Sequence, residues 1–184
     1  MVIDKEYPIG LDIVIAKLQK AIAGISWSNS ITWGDAENVS IYPRCYAVEK
    51  QEDQKRYTDI EYYHANGDYT GLLHAEGNKV FFVSNHDVIP AGLNGYFKTK
   101  VDIYFMIDLS QAKPHIIHRA DAEVETDALE AIKSSVPNTR ISRVITGIEN
   151  IYRGYRYRIT DDMQPYHCFK VEMEVLRYKI NANC

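Results

Sequence analysis

KVDIYFMIDL, residues Lys100 to Leu109, is the stretch on which the fold turns. Val101, Ile103, Phe105, Ile107 and Leu109 alternate with Asp102, Tyr104, Met106 and Asp108. Period-two alternation is the mark of a β-strand, because successive side chains point to opposite faces. The stretch is the most apolar in the chain, yet it holds two aspartates and is far too short to cross a bilayer. It reads as the central strand of a sheet, with no membrane partner.

Downstream the period changes. Asp121 to Ser134 reads as a helix whose inner face is Val124, Ala128 and Ile132, with Leu129 beside them. Asp121, Glu123, Glu125 and Asp127 fall in its first turns, where acids complement the helix dipole. Ile141 to Tyr152 and Tyr155 to Ile159 read as two strands around Gly154. Cys168 to Ile180 alternates again: Phe169, Val171, Met173 and Val175 inward, Lys170, Glu172 and Glu174 outward. The apolar set then moves to Leu176, Tyr178 and Ile180, a one-residue slip that predicts a β-bulge.

Upstream, Leu11, Val14 or Ile15, Leu18, Ile22 and Ile25 form one helical stripe, with Asp12, Lys17, Gln19 and Lys20 largely off it. Gly24 and Ser26 end it. A polar bend with Trp33 follows. Val39 to Val48 reads as a strand, with Val39, Ile41, Pro43, Cys45 and Ala47 on one face. Pro43 removes a ladder donor, which makes it an edge or a bulged strand. Glu49 to Arg56 reads as a solvated turn or loop. Asp59 to His74 is tyrosine-rich, with Asn66-Gly67-Asp68 suited to a tight turn. Asn78 to Ser84 reads as a short buried strand, and Pro90 to Gly95 as a breaker. Helix, strands, helix, strands predicts one α+β domain over residues 1–184, an antiparallel sheet with helices on one face.

The 184 residues suffice for a core without staples, and 46% hydrophobic with 25% charged excludes wholesale disorder. A net charge of −4 lacks the basic excess of a dedicated nucleic-acid binder. Cys45, Cys168 and Cys184 are too few and too scattered for a disulfide framework, and fit a reducing compartment. Residues 1–10 carry Asp4, Lys5 and Glu6 and no apolar run, which speaks against a secretory signal. Fourteen tyrosines favour strands first and a contact surface second.

Chemistry-bearing motifs are sparse. The chain has no phosphate-binding glycine loop, no GxSxG and no HExxH. His115 and His118 lack a third ligand at useful spacing. His167 and Cys168 are strand neighbours and point apart. Asp59 with Glu61, and Glu172 with Glu174, are carboxylate pairs of the kind a metal-dependent nuclease uses, without a placed lysine or third acid. No catalytic, cofactor-binding or metal-ligand set is expected.

Charge is segregated instead. Asp121, Glu123, Glu125, Asp127 and Glu130 lie on or beside the second helix; Arg140, Arg143, Arg153, Arg156 and Arg158 follow. These are ordinary solvated faces or internal pairs, or they are the two halves of a head-to-tail contact between copies. In the second case Glu123 and Asp127 meet Arg153 and Arg156 of a neighbour.

IEYYHANGDYTGLLHAEGNKVFFVSNH (Ile60 to His86) resembles structural proteins of tailed bacteriophages, particularly crAss-like phages. Tyr7 to Asp12 with Lys17 to Gln19, and Val101 to Leu109 with Arg119 to Glu123, are similar to the same group. Gln164 to Phe169 and the strand after it look like the last strand of tail-terminator and neck proteins. The resemblance implies an antiparallel sheet flanked by two helices and a non-enzymatic homo-oligomeric ring. Such a ring sits at the portal–tail connector or the head-proximal end of the tail. Its partners would be other neck, tail and portal proteins, with DNA passing non-specifically through the lumen. It would be found in the virion, and in the host cytoplasm during assembly. The other readings are a small metal-dependent nuclease or hydrolase, and a protein-binding adaptor of a bacterial mobile element.

Overall fold

The strand at residues 100–109 is buried on both faces. The computed structural model describes residues 7–29, 39–52, 55–64, 68–71, 77–84, 88–91, 95–116, 118–151 and 166–179. There β6 (Tyr96–Asp108) sends Val101, Ile103, Phe105 and Ile107 into one core and Tyr104 and Met106 into a second. It ends one residue earlier than the alternation suggests. Asp108 caps the short α3 (Leu109–Ala112) by accepting from the Ser110 and Gln111 amides, which turns the chain before Leu109 can extend it.

The sheet order is β3 (Asp68–Gly71), β2 (Lys55–His64), β1 (Ser40–Glu52), β4 (Lys79–Val83), β6, β8 (Tyr166–Lys179), β7 (Thr139–Thr146), with β5 (Ile89–Pro90) also on β6. Neighbours are antiparallel except β1 and β4, which run parallel. This is the expected α+β class, with a mostly antiparallel sheet. The larger core lies between the sheet and two helices, α1 (Leu11–Ala23) and α4 (Ala120–Ser135). The apolar stripes on which both were read are buried: Leu11, Val14, Ile15, Leu18 and Ile22, then Val124, Ala128 and Ile132. Each large apolar side chain so buried stabilises by roughly 1.5–3 kcal/mol.

Four local readings change. Asp12 and Gln19 are buried, because β1 passes over that side of α1. The Gln19 Nε2 donates to the carbonyls of Ile41 (3.2 Å) and Tyr42 (3.0 Å). Asp12 meets Arg44 at 3.1 Å as an ion pair without hydrogen-bond alignment. Next, of the two alternatives for β1 the edge falls and the bulged strand holds: β1 is an interior strand, between β2 and β4. It accommodates Pro43 by a register shift between Ile41, opposite Val80, and Arg44, opposite Phe82. The shift puts Ile41 in the helix-side core and Cys45 in the other, although strict alternation would give them one face.

Residues 49–52 and 55–56 are strand rather than loop. Glu49 pairs with Thr58, Lys50 with Tyr57 and Glu52 with Lys55, a polar hairpin exposed enough to tolerate charge along the ladder. Finally, the strand read through Tyr152 stops at Thr146. Gly147 at φ 86° turns the chain, and the three-residue spacing of Ile148 and Ile151 makes one helical turn, α5 (Ile148–Ile151), against the second core.

The bulge read in the last strand is present. Phe97 pairs with Tyr178 and Thr99 with Val175, so β8 carries one extra residue there. Tyr178 returns to the helix-side core, its ring 6.3 Å from Phe97. Leu176 does not follow it inward and stays exposed, because the bulge turns it to the open face. The readings at Asn66-Gly67, Trp33 and Tyr155 to Ile159 fall outside the described residues.

Candidate interaction surfaces

The acids of α4 are held from within. Lys113, just after α3, reaches Glu123 at 3.3 Å and Asp127 at 2.8 Å. These two carboxylates hold the Lys113 ammonium above the usual lysine range, Asp127 foremost. Arg119 pairs with Asp121 at 3.3 Å. That bond helps hold the Asp121 carboxyl below its usual range, after the larger effect of the Ala122 amide. Glu125 meets the His167 Nε2 at 2.8 Å, tying α4 to β8. Four of the five acids read as a free patch therefore have a partner in the same chain. Glu123 and Asp127 remain partly exposed. Arg153 and Arg156 lie outside the described residues, so the structure places one half of the expected contact.

The reverse holds on the open side of β6, β8 and β7. Alternation puts Lys98 and Lys100 there from β6, and Glu174 from β8. After the bulge come Arg177 and Lys179, and Arg140 faces Glu174 from β7. The five cations are exposed. Lys98, Lys100 and Arg140 make no ion pair among the described residues. Arg177 lies 3.7 Å over the Tyr96 ring and Lys179 5.2 Å from it, so an aromatic side chain props two of the charges. Ile89 and Leu176, both about half exposed, border a shallow depression of ≈ 360 Å³ between Lys98, Lys100 and Glu174. Sequence reading passed over this surface because its members come from three strands and a bulge. The alternating Lys98 and Lys100 were the available signal.

Farther along the same face the charges cancel. Lys170 bonds Asp102 at 3.3 Å and Glu172 at 2.9 Å. The Lys170 hydrogen bond is the main reason the Glu172 carboxyl is lowered, with Arg143 and Lys100 adding to it. Beyond them lies the second core, with Lys79 fully buried on β4 beside Cys168. Burial lowers the Lys79 ammonium to about 8 and raises the Cys168 thiol to about 11. Cys45 is pushed up to about 12 for the same reason. Both thiols are protonated at neutral pH and are poor nucleophiles. His167 and Cys168 point to opposite faces, as their adjacency on a strand requires.

On the β1–β2 hairpin, Asp59 and Glu61 do share a face, and Lys50 bonds both. The two carboxylates raise the Lys50 ammonium, Glu61 most strongly. Among the described residues no three histidine, cysteine, aspartate or glutamate side chains converge on a metal site. His115 and His118 are exposed. Among the described residues no helix is long and apolar enough to cross a membrane. No protein-family model matches the chain, and no curated protein or solved structure is similar to it.

Proposed function

We propose that the chain is a non-enzymatic virion protein that assembles into a ring at the neck, or at the head-proximal end of the tail, of a tailed phage. The observation that carries this reading is the sheet whose two end strands among the described residues, β3 and β7, are unlike, with the two long helices α1 and α4 packed on one face. A ring needs a head-to-tail contact between two different patches of the same molecule, and opposite ends of one sheet supply them. The arrangement also agrees with the architecture that the resemblance implies. Native mass spectrometry tests it: a single closed species of high order is expected. A persistent dimer, or an open-ended ladder of sizes, would count against a ring.

The acidic surface of α4 supplies the second test. Glu123→Lys with Asp127→Lys is expected to abolish ring formation while the circular dichroism spectrum stays unchanged. The new charges would also face Lys113. Adding Arg153→Glu and Arg156→Glu should partly restore assembly, since complementarity across an interface mainly sets specificity and association rate. Normal assembly of the first variant would move the interface elsewhere.

One arrangement favours a metal-dependent nuclease: the Asp59 and Glu61 carboxylates with a lysine between them. In the ring reading Lys50 is a cross-strand staple, and its ammonium occupies the space a cation would need. Incubating DNA with the protein and Mg²⁺, Mn²⁺ or Zn²⁺ is expected to give no cleavage. Cleavage that disappears in Asp59→Ala and Glu61→Ala would replace the ring reading with an enzyme.

A further inference from the structure

We infer that the open face of β6, β8 and β7 binds the phosphate backbone of a nucleic acid. The chain as a whole carries −4, yet at this end of the sheet Lys98, Lys100, Arg140, Arg177 and Lys179 surround one acid, Glu174. Its five cations are exposed and make no ion pair among the described residues, whereas four of the five acids of α4 are occupied by Lys113, Arg119 and His167. The acidic patch is thus the weaker candidate to neutralise it.

The layout selects the kind of anion. Alternate residues of a strand stand about 6.6–6.8 Å apart and neighbouring strands about 4.8 Å apart. The cations therefore form rows across a flat face. A small anion needs donors that converge on one point, while a repeating polyanion needs rows. Protein interfaces are depleted in lysine and are anchored by buried aromatic side chains. Here three of the five cations are lysines, and Tyr96 is engaged beneath Arg177 and Lys179. Lysine ammoniums are point charges suited to phosphate, and phosphate contacts carry no sequence information, so binding is to the backbone and independent of sequence. The inference stands apart from the ring reading, since a monomer would bind through the same face.

Fluorescence anisotropy with a labelled duplex of random sequence tests it on the full chain. About five phosphate contacts give a slope of roughly −4.5 in log affinity against log salt. Between about 50 and 200 mM salt, affinity should then fall roughly 10²–10³-fold. Lys98→Glu with Lys100→Glu should weaken binding at low salt at least about tenfold and flatten the slope by about two. Arg140→Glu with Lys179→Glu repeats the test on the other strands and guards against misfolding of the first variant. Lys17→Glu with Lys20→Glu removes the same charge from the exposed side of α1 and should leave binding near that of the parent chain. The inference is overturned if the duplex does not bind at low salt, or if the α1 control weakens binding as much as the sheet variants do. It is also overturned if poly-glutamate binds this face and DNA does not, which would assign it to an acidic protein.

Discussion

Phe169→Ala is expected to lower the stability of the fold by about 3–5 kcal/mol. Phe169 is fully buried at the middle of the helix-side core. It lies directly opposite Phe105 on the neighbouring strand, with ring centroids 4.4 Å apart and planes 2° from parallel. Truncation removes the transferred apolar area and leaves a void in the helix-side core that stiff strands cannot collapse into. Urea unfolding followed by tyrosine fluorescence would show the loss as a lower midpoint at unchanged slope. A loss under about 0.5 kcal/mol, the scale of exposed positions, would mean that this face of β8 is not the core face.

Lys79→Met is expected to raise stability at neutral pH by up to roughly 3 kcal/mol, since each unit of pKa displacement is worth about 1.4 kcal/mol. Burial has lowered the Lys79 ammonium from 10.5 to about 8. Below pH 8 both folded and unfolded chains hold the proton, and the whole cost of burying the charge is borne. Between 8 and 10.5 the unfolded chain binds more protons than the folded one, so this group makes stability rise with pH. The advantage of the methionine should therefore be full below pH 8 and gone near 10.5. The buried Cys45 and Cys168 thiols act with the opposite sign above pH 9, but parent and variant share them. The difference between the two stability curves removes the Cys45 contribution and, below pH 9, where Cys168 keeps its proton, reports the lysine. A pH-independent difference would show that the Lys79 ammonium has the same proton affinity in the folded and unfolded chains, so that burial does not lower it.

Elements with one uninterrupted periodicity could be read from the chain alone. The stripes of α1 and α4, the alternation of β6, the apolar run of β4 and the bulge of β8 are local patterns, and a local pattern needs no partner to be seen. What stayed hidden depends on residues far apart in sequence. Gln19 is polar and reads as solvent-facing, yet its amide satisfies two carbonyls beside the bulge that Pro43 opens. Glu49 to Arg56 reads as a loop because neither face is apolar; only the pairing of β1 with β2 makes Glu49 to Glu52 and Lys55 to Arg56 strand. The two charged regions were legible as signs. Their availability was not, because Lys113 and His167, which occupy the acids of α4, lie on other elements. The basic face was missed for the reverse reason: its cations are spread over three strands.

The place of β8 in the sheet also bears on the order in which the chain can reach its structure during synthesis. β8 lies between β6 and β7, and β7 has no other neighbour among the described residues. Until residues 166–179 have emerged, β6 presents an open, apolar edge and β7 lacks the strand it pairs with. The earlier part, α1 with β1, β4 and β6, can form first as a nascent chain does. Completion then requires the last strand to insert between two elements already made, a late and non-local step. In that interval the exposed edge of β6 is the place where two unfinished chains would most readily pair with each other.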